Sequence, residues 1–177
     1  MSILREYSRD SHNLVESTKF MRAIFEKKLP MNLWYDFVYQ KSLFYKIIED
    51  TASASKYTND FIEINRSFLL YLECKHLYSD LKYRDEAIEY FKYLKSINVG
   101  DRRILAHLYT WHMGDMYGGQ MIKKVLSLDS PSLDFKNRPK IIEKLENLLD
   151  IDLVDETNIA FDWAHKILKS YDVDLSQ

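Results

Sequence analysis

The sequence predicts an all-α protein of a single domain, and three observations predict it. Four glycines and three prolines in 177 residues leave few places for hairpin turns. No stretch alternates polar and apolar residues between turn pairs. Long segments instead repeat their apolar residues every three to four positions, the period of a helix packed on one face. A chain of this length can bury most of its surface around one core.

The elements follow in order. The first helical segment covers about residues 2–27, with Leu4, Tyr7, Ser11, Leu14 and Val15 on one face. Pro30, in "KLPMN", breaks it. The second covers about 32–49, with Trp34, Phe37, Val38, Leu43, Phe44 and Ile47 as its apolar set. The polar stretch "DTASASKYTND" links it to a third at about 60–80. A fourth, about 85–97, stops at "NVGD", where Gly100 suits the left-handed position that closes a helix. Asp101 then caps the fifth, which reaches about residue 126. "LDSPSLDFKNRP" reads as a loop, and segments at about 139–149 and 155–171 complete the chain.

Composition narrows the function classes. Hydrophobic residues at 46%, charged residues at 29% and a net charge of −2 fit a soluble globular protein. The absence of a basic run argues against nucleic acid. No apolar run approaches the roughly 18 residues of a membrane span or anchor, and the charged start "MSILREYSRDSH" reads as no signal peptide. One cysteine, Cys74, excludes an intrachain disulfide and a cysteine-based zinc site, so the cytoplasm is the expected compartment. Charge is uneven: Arg5, Arg9, Lys19, Arg22, Lys27 and Lys28 make the first 28 residues basic, and the chain from Glu143 onward is acidic. Two solvated faces, or a basic docking surface for an acidic partner, would both produce this.

Two short stretches carry chemistry. "HMGDMYGGQM", residues 112–121, places Gly114, Gly118 and Gly119 inside the fifth helix. Each costs about 1 kcal/mol relative to alanine there, so the cluster costs roughly 3 kcal/mol. A close helix crossing would explain it, and so would a flat, bulky ligand lying on the helix. Asp115, set among Met113, Met116 and Met121, favours the ligand, because a carboxylate on such a surface needs water or a hydrogen-bond partner. In "SHNLVESTKFM", residues 11–21, His12 and Glu16 stand one helical turn apart, with Arg5 two turns earlier. A carboxylate there can accept from one ring nitrogen and leave the other free for iron.

In these stretches the chain resembles the heme oxygenase family. "LREYSRDSHNLVESTKFMRAIF", residues 4–25, is similar to the family's proximal helix, and "AHLYTWHMGDMYGGQMIKKV", residues 106–125, to its distal helix, whose core reads Gly-Asp-Leu-Ser-Gly-Gly-Gln. The likeness runs from about residue 3 to 126. It implies a helical bundle with heme held between a proximal N-terminal helix and a glycine-bent distal helix. It further implies that O2 and electrons from an external donor convert heme, both substrate and cofactor, to biliverdin (the IXα isomer), carbon monoxide and ferrous iron. His12 would be the axial iron ligand and Glu16 would fix its tautomer. Asp115 would anchor a water network that supplies protons at the distal side. Gly114 and Gly118 would shape the distal wall, and Gly119 would lie with them against the heme. Arg5, Tyr109, Lys140 and Lys144 would serve the propionates.

The chain departs from the family pattern at Trp111 and His112, where the family commonly has Arg and Tyr, and at Tyr117, where it commonly has Ser. The hydrophobic anchor of animal members is missing. The resemblance to the anchorless type suggests ferredoxin, or a similar acidic reductase, as partner, docking on Arg22, Lys28, Lys123 and Lys124, with a bilin reductase possible downstream. Two other readings stay open. One is a heme-binding protein without turnover. The other is a helical di-iron oxidase built on Glu73 with His76 and Asp162 with His165. His107 is expected to pack or hydrogen-bond, His76 and His165 to be structural or on the surface, and Cys74 to be a small core residue.

Overall fold

The computed structural model describes residues 3–77 and 81–176. The N-terminal segment, expected as one helix, is cut into α1 (Ile3–Tyr7), α2 (Arg9–Glu16) and α3 (Lys19–Phe25). Hydroxyl side chains that bond to nearby backbone mark the cuts. Ser8 Oγ donates to the Leu4 carbonyl at 2.6 Å. Thr18 Oγ1 donates to the Val15 carbonyl at 2.9 Å and accepts from the Met21 amide at 3.3 Å, capping α3.

The helix α4 (Met31–Ala54) is the spine. It runs past residue 49, because Thr51 and Ala52 are buried and extend its packed surface. The expected third segment resolves into a 3-10 turn at Asn59–Ile64, α5 (Ser67–Cys74) and a 3-10 turn at Lys75–Leu77. Residues 78–80 of that expectation lie outside the described residues. The helix α6 (Asp85–Lys95) ends before Gly100, which takes the anticipated left-handed φ of 89°. Asp101 Oδ1 accepts from the Arg103 amide at 2.9 Å and opens the fifth segment as expected.

That segment is α7 (Arg103–Leu108), a π-helical turn at Tyr109–Met113, and α8 (Gly114–Leu126). All five residues of the π turn are buried. A wider turn keeps a run of consecutive side chains inside, at the cost of a local irregularity. After a 3-10 turn at Pro131–Leu133 come α9 (Arg138–Glu146), a further 3-10 turn at Ile151–Leu153, and α10 (Val154–Lys169) with short 3-10 turns behind it. Among the described residues there is no strand, and no helix is long and apolar enough to cross a membrane.

α4 packs against α5, α6 and α7; α10 packs against α2, α3, α6 and α7; and α3 packs against α8. Several of the buried polar residues of α4 clamp another segment. Asp36 accepts from Arg84 Nε at 2.8 Å, and Gln40 Oε1 accepts from the Arg84 amide at 2.9 Å. Glu49 accepts from the amides of Arg66 and Ser67, which caps α5, and lies 2.9 Å from His112 Nε2. Burial raises the Glu49 carboxyl, but these hydrogen bonds outweigh it and hold the group below its ordinary value.

A second buried chain ties α6, α7 and α10 together. Trp111 Nε1 donates to the Tyr90 hydroxyl at 2.9 Å, which lies 2.8 Å from His107 Nδ1. His107 Nε2 lies 2.9 Å from Glu156 Oε1, and the Tyr93 hydroxyl donates to the same oxygen at 2.6 Å. A carboxylate accepts only, so Nε2 carries the imidazole proton and Nδ1 accepts from Tyr90. Burial pushes His107 below its ordinary value. Burial, with the adjacent Glu156, pushes the Tyr93 phenol up to about 12. His107 is thus a packed, bonded residue, as expected, and Cys74 is fully buried in the core.

Candidate active site

The glycines in α8 are not there for backbone freedom. Gly114 has ordinary helical dihedrals, φ −56° and ψ −47°, and Gly100 is the one glycine at positive φ among the described residues. Left-handed positions at Lys27, Lys56, Ser127 and Asn137 are filled by residues other than glycine. What Gly114, Gly118 and Gly119 contribute is a missing side chain. A Cβ at Gly119 would meet Leu133 Cδ2 at 3.0 Å, so a close packing contact explains that glycine. A Cβ at Gly114 or Gly118 would meet nothing within 4 Å. Contact with the 3-10 turn at Pro131–Leu133, not a crossing helix, therefore accounts for one of the three, and a bare strip remains on α8. Tyr117 and Met121, 56% and 53% exposed, flank that strip at helical spacing.

Asp115 stands at the edge of the strip and is held firmly. Lys41 Nζ on α4 lies 2.7 Å from both of its carboxylate oxygens. The Tyr45 hydroxyl donates to Oδ2 at 2.6 Å. Lys41 is 3% exposed and Asp115 13%, so the pair is nearly dry. The Lys41 ammonium also sits over the rings of Tyr45 and Phe37, 4.9 and 5.6 Å from their centroids. Tyr45 packs on the His112 ring at 4.3 Å. Burial first, then the charges of Asp115 and Glu49, push the Tyr45 phenol well above its ordinary value, so it donates and stays neutral.

The N-terminal side is looser. α2 buries none of its residues. His12 Nδ1 lies 3.8 Å from Glu16 Oε2, an ion-pair distance beyond hydrogen-bond reach, with both side chains half exposed. The expected tautomer-fixing bond is therefore not formed here, because neither side chain is confined by packing. The His12 ring meets Phe161 of α10 edge-on at 5.6 Å, and Ser11 Oγ donates to Asn158 Oδ1 at 2.7 Å.

The remaining site candidates scatter. Arg5 and Lys140 are exposed. Tyr109 is buried in the π turn. Lys144 donates to the Asp60 carbonyl and lies over the Phe61 ring, so this structure ties it to the 3-10 turn at Asn59–Ile64 and does not pair it with Lys140. Arg138, which the sequence reading missed, donates to the Met116 carbonyl of α8 at 3.0 Å. Lys41 and Tyr45 were missed as well, although a signal existed. Lys41 falls four residues after Phe37 and seven after Trp34, on the apolar face of α4, where a lysine needs a partner.

Two surface cavities, of about 290 and 500 Å³, border the loop at residues 131–136 and include neither His12 nor Gly114 and Gly118. The bare strip lies outside both. The di-iron reading finds no ligand cluster. Glu73 is bonded to Ser130 Oγ at 2.8 Å and to the Ser132 amide at 2.6 Å, and Asp162 pairs with Lys166. Among the described residues no three His, Cys, Asp or Glu are grouped to hold a metal ion.

A family model described as heme oxygenase matches residues 1–146. The chain belongs to the heme oxygenase family. A heme oxygenase of Guillardia theta is 28% identical over 134 residues, covering 69% of this chain and 56% of that relative. Mouse heme oxygenase 2 is 23% identical over 203 residues, covering 96% of this chain and 64% of that one. The chain thus spans between about half and two thirds of the length of these curated relatives. The crystal structure of Synechocystis heme oxygenase-1 in complex with heme superposes with a TM-score of 0.85 at 20% identity, over 98% of this chain and 92% of that one. The Leptospira interrogans heme oxygenase gives 0.82 at 20% identity, over 96% and 100%. These likenesses establish the family's all-helical fold for the chain.

Proposed function

We propose that this protein is a heme oxygenase, opening heme to biliverdin, in its IXα form, with carbon monoxide and ferrous iron, by means of O2 and electrons from an external donor. The observation that carries the proposal is the side-chain-free strip at Gly114 and Gly118, beside a carboxylate fixed by two partners. A flat apolar macrocycle fits such a strip, and the exposed Tyr117, Met121 and, on α2, Leu14 supply apolar contact. Family membership adds to this support.

Heme, when bound, supplies the oxidative chemistry; the protein binds it, orients it and manages protons. His12, its ring half exposed and without a hydrogen bond to Glu16, has a nitrogen free to ligate iron. Once the ring is fixed, Glu16 can close the 3.8 Å gap and hold its tautomer. Gly114 and Gly118 let the α8 backbone approach the ring face. Asp115, bonded through Oδ2 to Tyr45, holds ordered water at the strip and relays protons from it. Arg5 and Lys140, both exposed, would serve as cations for propionates.

The electron donor we propose is an acidic protein such as ferredoxin. Because α3 packs on α8, exposed Arg22 and Lys124 lie on neighbouring elements. Lys28 and Lys123 are already paired, with Glu26 and Asp134 at 2.8 Å each, and contribute less free charge.

Hemin titration followed by reductant tests the activity. A heme oxygenase develops a Soret band that then gives way to bilin absorption and released carbon monoxide. A persistent Soret band would make the protein a heme binder without turnover, and no Soret band would refute the heme site.

A further inference from the structure

Lys41 is an anomaly of the sequence. It lies on the apolar face of the most buried helix, 3% exposed, where leucine or methionine would fill the same space without desolvating a charge. Replacing a buried ion pair by apolar residues is often neutral or stabilising, so the fold alone does not call for an ammonium there. Its geometry is specific. Nζ reaches both Asp115 oxygens at 2.7 Å, while Tyr45, one turn along α4, donates to Oδ2. The basic side chains on either side of Asp115 in the chain, His112 and Lys123, are committed to Glu49 and Asp134. The carboxylate beside the bare strip therefore takes its orientation entirely from α4.

We propose that Lys41 is a positioning residue: its ammonium, with the Tyr45 hydroxyl, clamps the Asp115 carboxylate in the one orientation that serves the Gly114–Gly118 strip. The clamp joins spine and strip, so the carboxylate does not swing into solvent while the strip is uncovered. Bidentate contact restricts rotation about the carboxylate axis, and the two aromatic rings under the ammonium restrict the lysine in turn. This inference rests on the proposed heme oxygenase activity for its catalytic consequence, but the clamp itself is a property of the ligand-free protein.

The test uses Lys41→Met, Lys41→Arg and wild type. In the ligand-free protein, a 1H–15N correlation spectrum should show a slowly exchanging lysine ammonium signal that vanishes in Lys41→Met and shifts in Asp115→Asn. The melting temperature of Lys41→Met should fall by several degrees, because Asp115 is left buried without its cation. Hemin affinity should change less than about threefold, whereas single-turnover conversion of bound hemin should fall at least tenfold, with Lys41→Arg recovering most of it. An ammonium signal insensitive to Asp115→Asn overturns the clamp. So does wild-type turnover in Lys41→Met, and so does loss of hemin affinity in step with turnover, which marks a merely structural lysine. If Lys41→Met does not fold, the Lys41→Arg turnover and the Asp115→Asn spectrum still decide. Failure of wild type itself to convert hemin refutes the activity and leaves the spectral test of the clamp standing.

Discussion

α2 and α8, the two halves of the proposed site, are built in opposite ways. α2 buries none of its residues, and its His12 and Glu16 are half exposed and 3.8 Å apart. α8 grows out of a fully buried π turn, and its Asp115 is fixed by two side chains of the spine. The distal side is organised before any ligand arrives; the proximal side is left to be completed by one. A bound ligand would order α2 far more than α8, and the stability it adds would concentrate there.

Removing the proposed ligating nitrogen breaks the comparison hardest. His12→Ala should abolish iron ligation and turnover while changing the melting temperature of the ligand-free protein by only a few degrees, because α2 holds no buried residue and the half-exposed His12 ring meets Phe161 only edge-on. Differential scanning fluorimetry with and without hemin, beside the absorption spectrum, checks this. A large destabilisation without hemin would show α2 to be part of the scaffold.

The glycines give the next effect, with opposite signs at neighbouring positions. Gly118→Ala places a Cβ in open space and should raise ligand-free stability by about 1 kcal/mol. It should also weaken hemin binding by roughly tenfold, about 1.4 kcal/mol, because the methyl occupies the strip. Gly119→Ala drives a Cβ to 3.0 Å from Leu133 and should destabilise, with less effect on hemin once folded. Denaturant melts and hemin titrations on the two variants check this. Equal behaviour would remove the distinction between bare strip and packed contact.

Much of this was legible in the sequence, for identifiable reasons. The helical period and the scarcity of turn residues predict the fold, and Gly100 and Asp101 mark the start of the fifth segment where the structure has it. The cluster at Gly114, Gly118 and Gly119 signals a bare or crowded surface, but sequence cannot say which, because that depends on whether Leu133 or open space lies opposite. The cut at Ser8 escapes notice because Leu4, Ser11 and Val15 keep helical spacing across it. The π turn escapes because one extra residue in a turn shifts the phase without altering composition. Lys41 was readable as a lysine on an apolar face, but its partner lies 74 residues away, a pairing only the packing of α4 against the fifth segment creates.

The scaffold behind the distal side should also respond to acid. Burial holds His107 below its ordinary value of 6.5, so the unfolded chain takes up the proton first as pH falls. Stability is complete above about pH 6.5 and is lost as pH drops toward the lowered value. Glu49 and Glu156, also held low, continue the loss below their ordinary 4.5. Melting temperature against pH should fall from pH 7 to 5, and His107→Gln should flatten that part of the curve. A flat wild-type curve would contradict the buried neutral imidazole.

The smallest effect concerns docking. Ferredoxin-driven turnover should slow a few-fold between low and physiological salt, since exposed Arg22 and Lys124 act through screened charge. Indifference to salt would move the docking surface elsewhere.

The most direct measurement is a crystal structure of the hemin complex. The porphyrin should lie against the backbone at Gly114 and Gly118, with a His12 ring nitrogen on the iron and Asp115 still paired with Lys41. Hemin seated in the hollow beside Leu133 and Arg138, or anywhere with His12 unligated, would contradict a site shared between a loose imidazole helix and a pre-set glycine helix.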